Sequence, residues 1–185
     1  MKKNIIITVV VLVFSLVGII ISNNNFSYAK EDNKDLKLSV YFDNLKTSIV
    51  NGTAYVPMTP EVDSTSIKAY DVLISKKGDY ATFTFDVIND GDIDATLNSL
   101  TKIEPKCISL LLPANEEDEK EVCNNLEYKI YYSKNNKEVS VDDIIKSKTK
   151  ESITIKIGLN DNFNYNLEGD VQITLFDTNF VFSKK

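Results

Sequence analysis

The chain has 185 residues, of which 43% are hydrophobic and 26% charged, and its formal net charge is −6. A negative net charge argues against a nucleic-acid partner, because phosphate binding needs a clustered cationic face. Every basic residue is lysine, and histidine, arginine and tryptophan are absent. Without histidine, Ser-His and Cys-His nucleophile pairs and imidazole zinc ligands are excluded. With no cofactor motif in addition, the composition predicts a protein that is not an enzyme and binds no cofactor.

The N-terminal 29 residues have the order of a secretory signal peptide. Two lysines precede an apolar run over residues 5–21, and no charge follows until Lys30. A basic segment followed by an apolar one is the n-region and h-region of such a signal. The small residues Ser27 and Ala29 predict cleavage after Ala29.

An uncleaved N-terminal membrane anchor is the open alternative for residues 1–29. The apolar run is about 17 residues long, at the lower limit for spanning a bilayer. In both cases residues 30–185 are expected outside the cell, as a secreted, cell-surface or membrane-tethered domain.

The remainder of the chain shows the alternation of strands. In residues 80–88 and 151–159 apolar and polar side chains alternate, which predicts strands with one buried face. The side chains expected inside are Ala81, Phe83, Phe85 and Val87 of the first segment, and Ile153, Ile155, Ile157 and Leu159 of the second. Six weaker strand candidates lie at residues 36–42, 66–74, 95–103, 107–112, 126–132 and 171–182.

About eight strands without crossover helices predict an all-β fold, with residues 30–185 forming one two-sheet antiparallel β-sandwich. Turn-forming residues at 77–79 and 89–91 separate strands. Short helices are predicted at residues 115–122 and 141–147.

Cys107 and Cys123 are the two cysteines of the chain. In an oxidising location outside the cell an isolated pair predicts a disulfide bond, which would stabilise the fold by about 3 kcal/mol. Two reduced thiols are the alternative. The segment between them is strongly acidic over residues 116–121. It is expected to form a solvated loop at one end of the sandwich, and a site for a cation or a basic partner is the alternative.

Asp90, Asp92 and Asp94 alternate as at the start of a calcium-binding loop. An EF-hand needs Gly at the sixth position and Glu at the twelfth, which are Ala95 and Thr101 here, so that motif fails. A looser calcium site formed by the three aspartates is a weak candidate. A plain turn between two strands is the alternative.

The motif of Gly78-Asp79, the alternating strand to Val87, Asn89 and Gly91, and Asp94-Ala95 resembles small exported Ig-like domains of low-GC Gram-positive bacteria. The later segment with Cys123-Asn124, Leu126 and Tyr128 is similar to the second half of those proteins. More distantly, the organisation is similar to the camelysin and TasA group. The resemblance implies an Ig-like sandwich at the cell surface, and for that group an association with biofilm matrix fibres.

The sequence therefore favours a non-catalytic cell-surface or extracellular-matrix protein that contacts other proteins, the wall or copies of itself. In one form of self-assembly, residues 30–45 pair with the open sheet edge of a neighbour. A membrane-anchored accessory ectodomain of a surface complex is the second hypothesis. A secreted hydrolase that uses a Ser-Lys pair or carboxylates is the third.

Overall fold

The strands follow the alternating segments of the sequence. The computed structural model describes residues 35–185, so the leader and the cleavage site after Ala29 lie outside the described residues. Within the described range ten strands and one helix occur in chain order: β1 (Val40–Asn51), β2 (Glu61–Asp63), β3 (Ser66–Ile74), β4 (Tyr80–Asn89), β5 (Ala95–Lys102), β6 (Lys106–Ser109), α1 (Glu116–Asn124), β7 (Leu126–Tyr132), β8 (Ile144–Ile145), β9 (Thr149–Leu159) and β10 (Val171–Lys184).

These strands form two sheets in which every ladder is antiparallel. The first sheet has the order β1-β4-β9-β7, and the second has the order β2-β3-β10-β5-β8. The long strand β10 pairs with β3 on one side and changes partner on the other side, from β6 at Val171–Thr174 to β5 at Thr178–Lys184. The predicted all-β class with antiparallel sheets is confirmed.

One hydrophobic core lies between the two sheets. Phe42 from β1 and Phe85 from β4 contact Phe180 from β10, with ring centroids 5.0 and 5.9 Å apart. The predicted inward side chains of β4 are at most 1% exposed, and those of β9 at most 4% exposed. The two sheets therefore pack face to face, and burial of these aliphatic and aromatic groups supplies the main stabilising free energy.

All eight predicted strand segments correspond to strands, and the differences lie at the sheet edges. The two missed strands, β2 and β8, have three and two residues, too few for an alternating pattern. The alternating pattern predicts that the first strand ends at residue 42, but β1 continues to Asn51. Register shifts between Asp43 and Lys46 and between Thr47 and Ile49 break the alternation there, as β-bulges do.

One helix prediction is confirmed and the other is wrong. Residues 115–122 contain most of α1. The segment 141–147 instead forms a turn followed by β8. Asp142 has a φ of 72°, and the Asp143 carboxylate accepts a hydrogen bond from the backbone N–H of Ser140 at 2.9 Å. Such local side-chain bonds to the backbone compete with helix formation.

Candidate contact surfaces

β1 is an edge strand of the first sheet, and Val40, Phe42 and Leu45 are its side chains that contact the core. Phe42 is the one buried residue of the strand, 5% exposed, with its ring centroid 4.8 Å from that of Phe85. Its N–H donates to the carbonyl of Ser64 at 3.0 Å. From Lys46 to Asn51 every side chain of the strand is exposed.

The outer edge of β1 is open after the first bulge. Within the described residues, no backbone hydrogen bond joins the outer side of residues 46–50 to another segment. Ile49 and Val50 are 52% and 44% exposed. A free strand edge with exposed apolar side chains is a template for pairing with another chain.

The other long edge of the first sheet, β7, is covered over its second half. The N–H of Tyr132 in β7 donates to the carbonyl of Lys137 at 2.9 Å, and the N–H of Val139 donates to the carbonyl of Ile130 at 3.0 Å. The hairpin after β7 thereby pairs outer backbone groups at Ile130 and Tyr132, in the second half of that strand. In the second sheet the edge strands β2, β6 and β8 have two to four residues. Short edges are one of the ways in which proteins prevent unwanted strand pairing.

Helix α1 covers the edge of β6. Cys107 of β6 and Cys123 of α1 form a disulfide bond, as the sequence predicts. The N–H of Ser109 donates to a carboxylate oxygen of Glu119 at 2.9 Å. An acidic side chain thus occupies the position that an added strand would use.

For the acidic residues 116–121 the prediction of a loop is wrong and the prediction of a short helix is confirmed. Asn115 caps the helix by accepting hydrogen bonds from the N–H groups of Glu117 and Asp118. The negative side chains of the first turn are stabilised by the positive end of the helix dipole, which explains why this sequence forms a helix.

Asp118 is fully buried and anchors α1 to the segment before β10. Its carboxylate accepts hydrogen bonds from the N–H groups of Glu168 at 3.1 Å and Gly169 at 3.3 Å. Tyr165 donates a further hydrogen bond to it. Partial burial, this hydrogen bond and the nearby negative charges raise the pKa of Tyr165 to about 12.

A second carboxylate organises the outer face of the first sheet. Asp86 is 8% exposed, and it accepts hydrogen bonds from Asn44 Nδ2 at 3.0 Å, Lys150 Nζ at 2.9 Å and Ser152 Oγ at 2.5 Å. Burial opposes ionisation, but these hydrogen bonds and the Lys150 charge outweigh it and hold the pKa of Asp86 below its ordinary value. Asn44 reaches Asp86 from the β1 bulge, where its φ is 55°.

The three aspartates of the calcium hypothesis lie around the turn between β4 and β5. Asp90 and Asp92 both lie near Lys148, at 3.3 and 3.7 Å. Asp94 binds Lys146 Nζ at 2.8 Å, and this bond helps to hold the pKa of Asp94 below its ordinary value. Within residues 35–185, no three acidic or cysteine side chains are placed to hold a metal ion. A calcium site at these residues stays a prediction.

The predicted turn at residues 89–91 is present in the structure. Asn89 Oδ1 accepts a hydrogen bond from the N–H of Gly91 at 2.9 Å, while Asn89 Nδ2 donates to the carbonyl oxygens of Ile93 and Ile145 at 2.9 and 3.0 Å. Asn89 is fully buried. One side chain thus shapes the turn and joins it to β8.

Sequence reasoning missed Asp86 and the burial of Asp118. Asp86 lies on the outward face of a predicted strand, where an acidic residue is ordinarily solvated. The signal that could have drawn attention to it is the serine and lysine of β9, which face it in an antiparallel pairing of the two strongest predicted strands.

Comparison of the chain with protein-family models, with curated proteins and with solved structures finds no match. The resemblance to exported Ig-like proteins therefore stays a prediction.

Over residues 35–185, no helix combines the length and the apolar character needed to cross a membrane.

Proposed function

We propose that the protein is a non-catalytic, exported cell-surface or extracellular-matrix protein that makes contacts with other proteins, the wall or copies of itself. The observation that carries the proposal is the open edge of β1. Among the described residues β1 is the longest strand at a sheet edge, and Ile49 and Val50 are exposed along it. The predicted export signal supports the location.

The contact by strand pairing uses residues 46–50. The sequence predicts strand addition by residues 30–45, but residues 40–43 already pair with β4 of the same chain, as do residues 46–47 and 49–51 on the inner side of β1. The outer side of residues 46–50 has free backbone donors and acceptors, which a strand of a second copy or of another surface protein can satisfy.

We further propose that the two sheets form an Ig-like sandwich of the kind found in exported proteins of low-GC Gram-positive bacteria, with the camelysin and TasA group as a distant relative. The face-to-face packing of the sheets and the Cys107–Cys123 disulfide bond support this part of the proposal.

Light scattering over a range of protein concentrations tests the self-assembly form. Val50→Lys places a charge at the open edge and is expected to weaken self-association at least tenfold. Val181→Lys is the matched control, because Val181 is 52% exposed on β10, a strand with partners on both sides. Wild-type protein that stays monomeric at every concentration, salt and pH would contradict self-assembly. Equal association of the two variants would contradict the role of β1.

A membrane-anchored accessory ectodomain is the second candidate, favoured by the length of the apolar run at residues 5–21. The intact mass of the protein recovered from cells separates the two functions. Loss of residues 1–29 supports the released form, and retention of these residues supports the anchored one.

A further inference from the structure

The outer face of the first sheet carries a groove beside the β1 bulge. Two depressions form it, with volumes of about 390 and 270 Å³, and the hydrogen bond from Lys150 to Asp86 links their linings. The first is lined by Asn44, Lys46, Thr84, Asp86 and Ser152 among others. The second is lined by Tyr41, Ile88, Asp90, Lys148 and Lys150 among others.

Strand register brings these side chains onto one face. Tyr41 of β1 is opposite Ile88 of β4, which is opposite Lys150 of β9. In the neighbouring row, Asp86 is opposite Ser152. Side chains of directly paired residues point to the same side of a sheet, so the exposed Tyr41 ring and the Asp86 cluster are neighbours.

Asp86 holds the polar groups of the groove in fixed positions. Asn44, Lys150 and Ser152 each donate one hydrogen bond to its carboxylate. Each keeps further capacity, since an ammonium has three donors, an amide has two donors and an acceptor, and a hydroxyl accepts as well as donates. Groups whose orientation is already fixed lose little conformational entropy when they bind a ligand.

Charges of both signs line the groove, since Lys46 lines the first depression and Asp43 lies opposite Asp86, so the groove offers no surface of a single sign to an ionic ligand. Lys150 is paired with Asp86 at 2.9 Å, and Lys148 is paired with Asp90 at 3.3 Å. A ligand with a net charge would have to compete with these pairs. A ligand with many hydroxyl groups can instead donate to the carboxylates and accept from the ammonium, amide and hydroxyl groups. The exposed aromatic ring of Tyr41, which is 40% accessible, adds an apolar surface with a polar tip.

We propose that this groove binds a neutral glycan, with a sugar ring packed on Tyr41 and sugar hydroxyls hydrogen-bonded to Asn44, Lys150 and Ser152. The inference rests on the proposed contact function and names one ligand class for it. Glycan binding would use the outer face of the first sheet, whereas strand pairing would use the free edge of β1. An experiment can therefore disprove one proposal without the other.

Sedimentation with insoluble neutral polysaccharides tests the proposal. Chitin and cellulose are the neutral probes, and insoluble calcium polygalacturonate is the charged one. The wild-type chain, purified from cells that produce it, is expected to sediment with at least one neutral polymer and more weakly with the charged one. Tyr41→Ala is expected to lower the apparent affinity at least tenfold, and Tyr41→Phe to retain most of it.

Tyr55→Ala is the matched control, because Tyr55 is 59% exposed and bridges to β3 of the second sheet. Ser152→Ala removes one hydroxyl from the groove and is expected to lower the affinity about threefold. Circular dichroism verifies that each variant is folded. No sedimentation with either neutral polymer, preference for the charged polymer, or equal losses for Tyr41→Ala and Tyr55→Ala would each overturn the proposal. Val50→Lys is expected to bind glycan like the wild type, and it separates this test from that of strand pairing.

Discussion

The edge strands β6 and β1 differ in the means by which they are held and covered. β6 has four residues, yet a disulfide bond, the helix α1 and the Glu119 carboxylate all protect it. β1 has twelve residues, and Phe42 is its one buried side chain, while the outer side of residues 46–50 is open. The shorter of these two edges is therefore the better covered one. The longer edge is the one left available, which supports a role for it in contacts.

Among the variants that test this comparison, the one without the Phe42 ring is expected to lose the most stability. Phe42→Ala leaves a cavity beside Phe85 and Phe180, and a loss of about 4 kcal/mol in the free energy of unfolding is expected. Urea denaturation measures it. The neighbouring Tyr41→Ala, on the exposed side of β1, is the control and is expected to change the free energy by less than about 0.5 kcal/mol. Equal effects of the two variants would show that β1 is not anchored by Phe42.

Removal of the disulfide bond tests the protection of β6. The double variant Cys107→Ser, Cys123→Ser is expected to lose about 3 kcal/mol, because the unfolded chain regains the freedom of the closed loop. Hydrogen exchange is expected to increase in α1 and β6 but not in β1. An increase spread evenly over both edge strands would contradict a local role of the bond.

Asp118→Asn weakens the second anchor of α1. The amide keeps one acceptor but places a donor among the N–H groups of Glu168 and Gly169, so a loss of about 2 kcal/mol is expected. Chemical denaturation with Glu116→Gln as the control measures this loss, since Glu116 is an exposed acid of the same helix. A loss of similar size in both variants would indicate an effect of helix charge instead of the buried contact.

The smallest expected effect is a fall in folding stability at alkaline pH, caused by the ionisation of Tyr165. The pKa of Tyr165 is raised from 10.0 to about 12 in the folded state, so its hydroxyl is bound more favourably in the protonated form. This stabilisation is complete below pH 10 and is lost as the pH rises through about 12. Stability measured at pH 8, 10 and 11 is expected to fall more steeply in the wild type than in Tyr165→Phe. Parallel curves for the two proteins would exclude Tyr165 as a source of the pH dependence.

Strand positions and their inward faces could be predicted because each depends on a local pattern. The alternation around Phe83 and Ile155 is sufficient to define which side chains are buried. The burial of Asp118 depends on the segment at Glu168, which is distant in sequence and has no recognisable signal. The Asp86 cluster likewise depends on a bulge in β1 that interrupts the alternating pattern. Contacts of this kind follow from tertiary packing, which short-range patterns do not encode.

The pairing of β10 on both sides determines when its backbone amides become exposed to solvent. It pairs with β3 along one side while β6 and then β5 occupy the other, so it keeps a partner when any one neighbour separates. Its central amides around Thr178 are then exposed to solvent only when the whole domain unfolds. Their deuterium uptake provides an internal reference for global stability. Against that reference, the faster uptake of β1 measures the free energy of local opening at the contact edge.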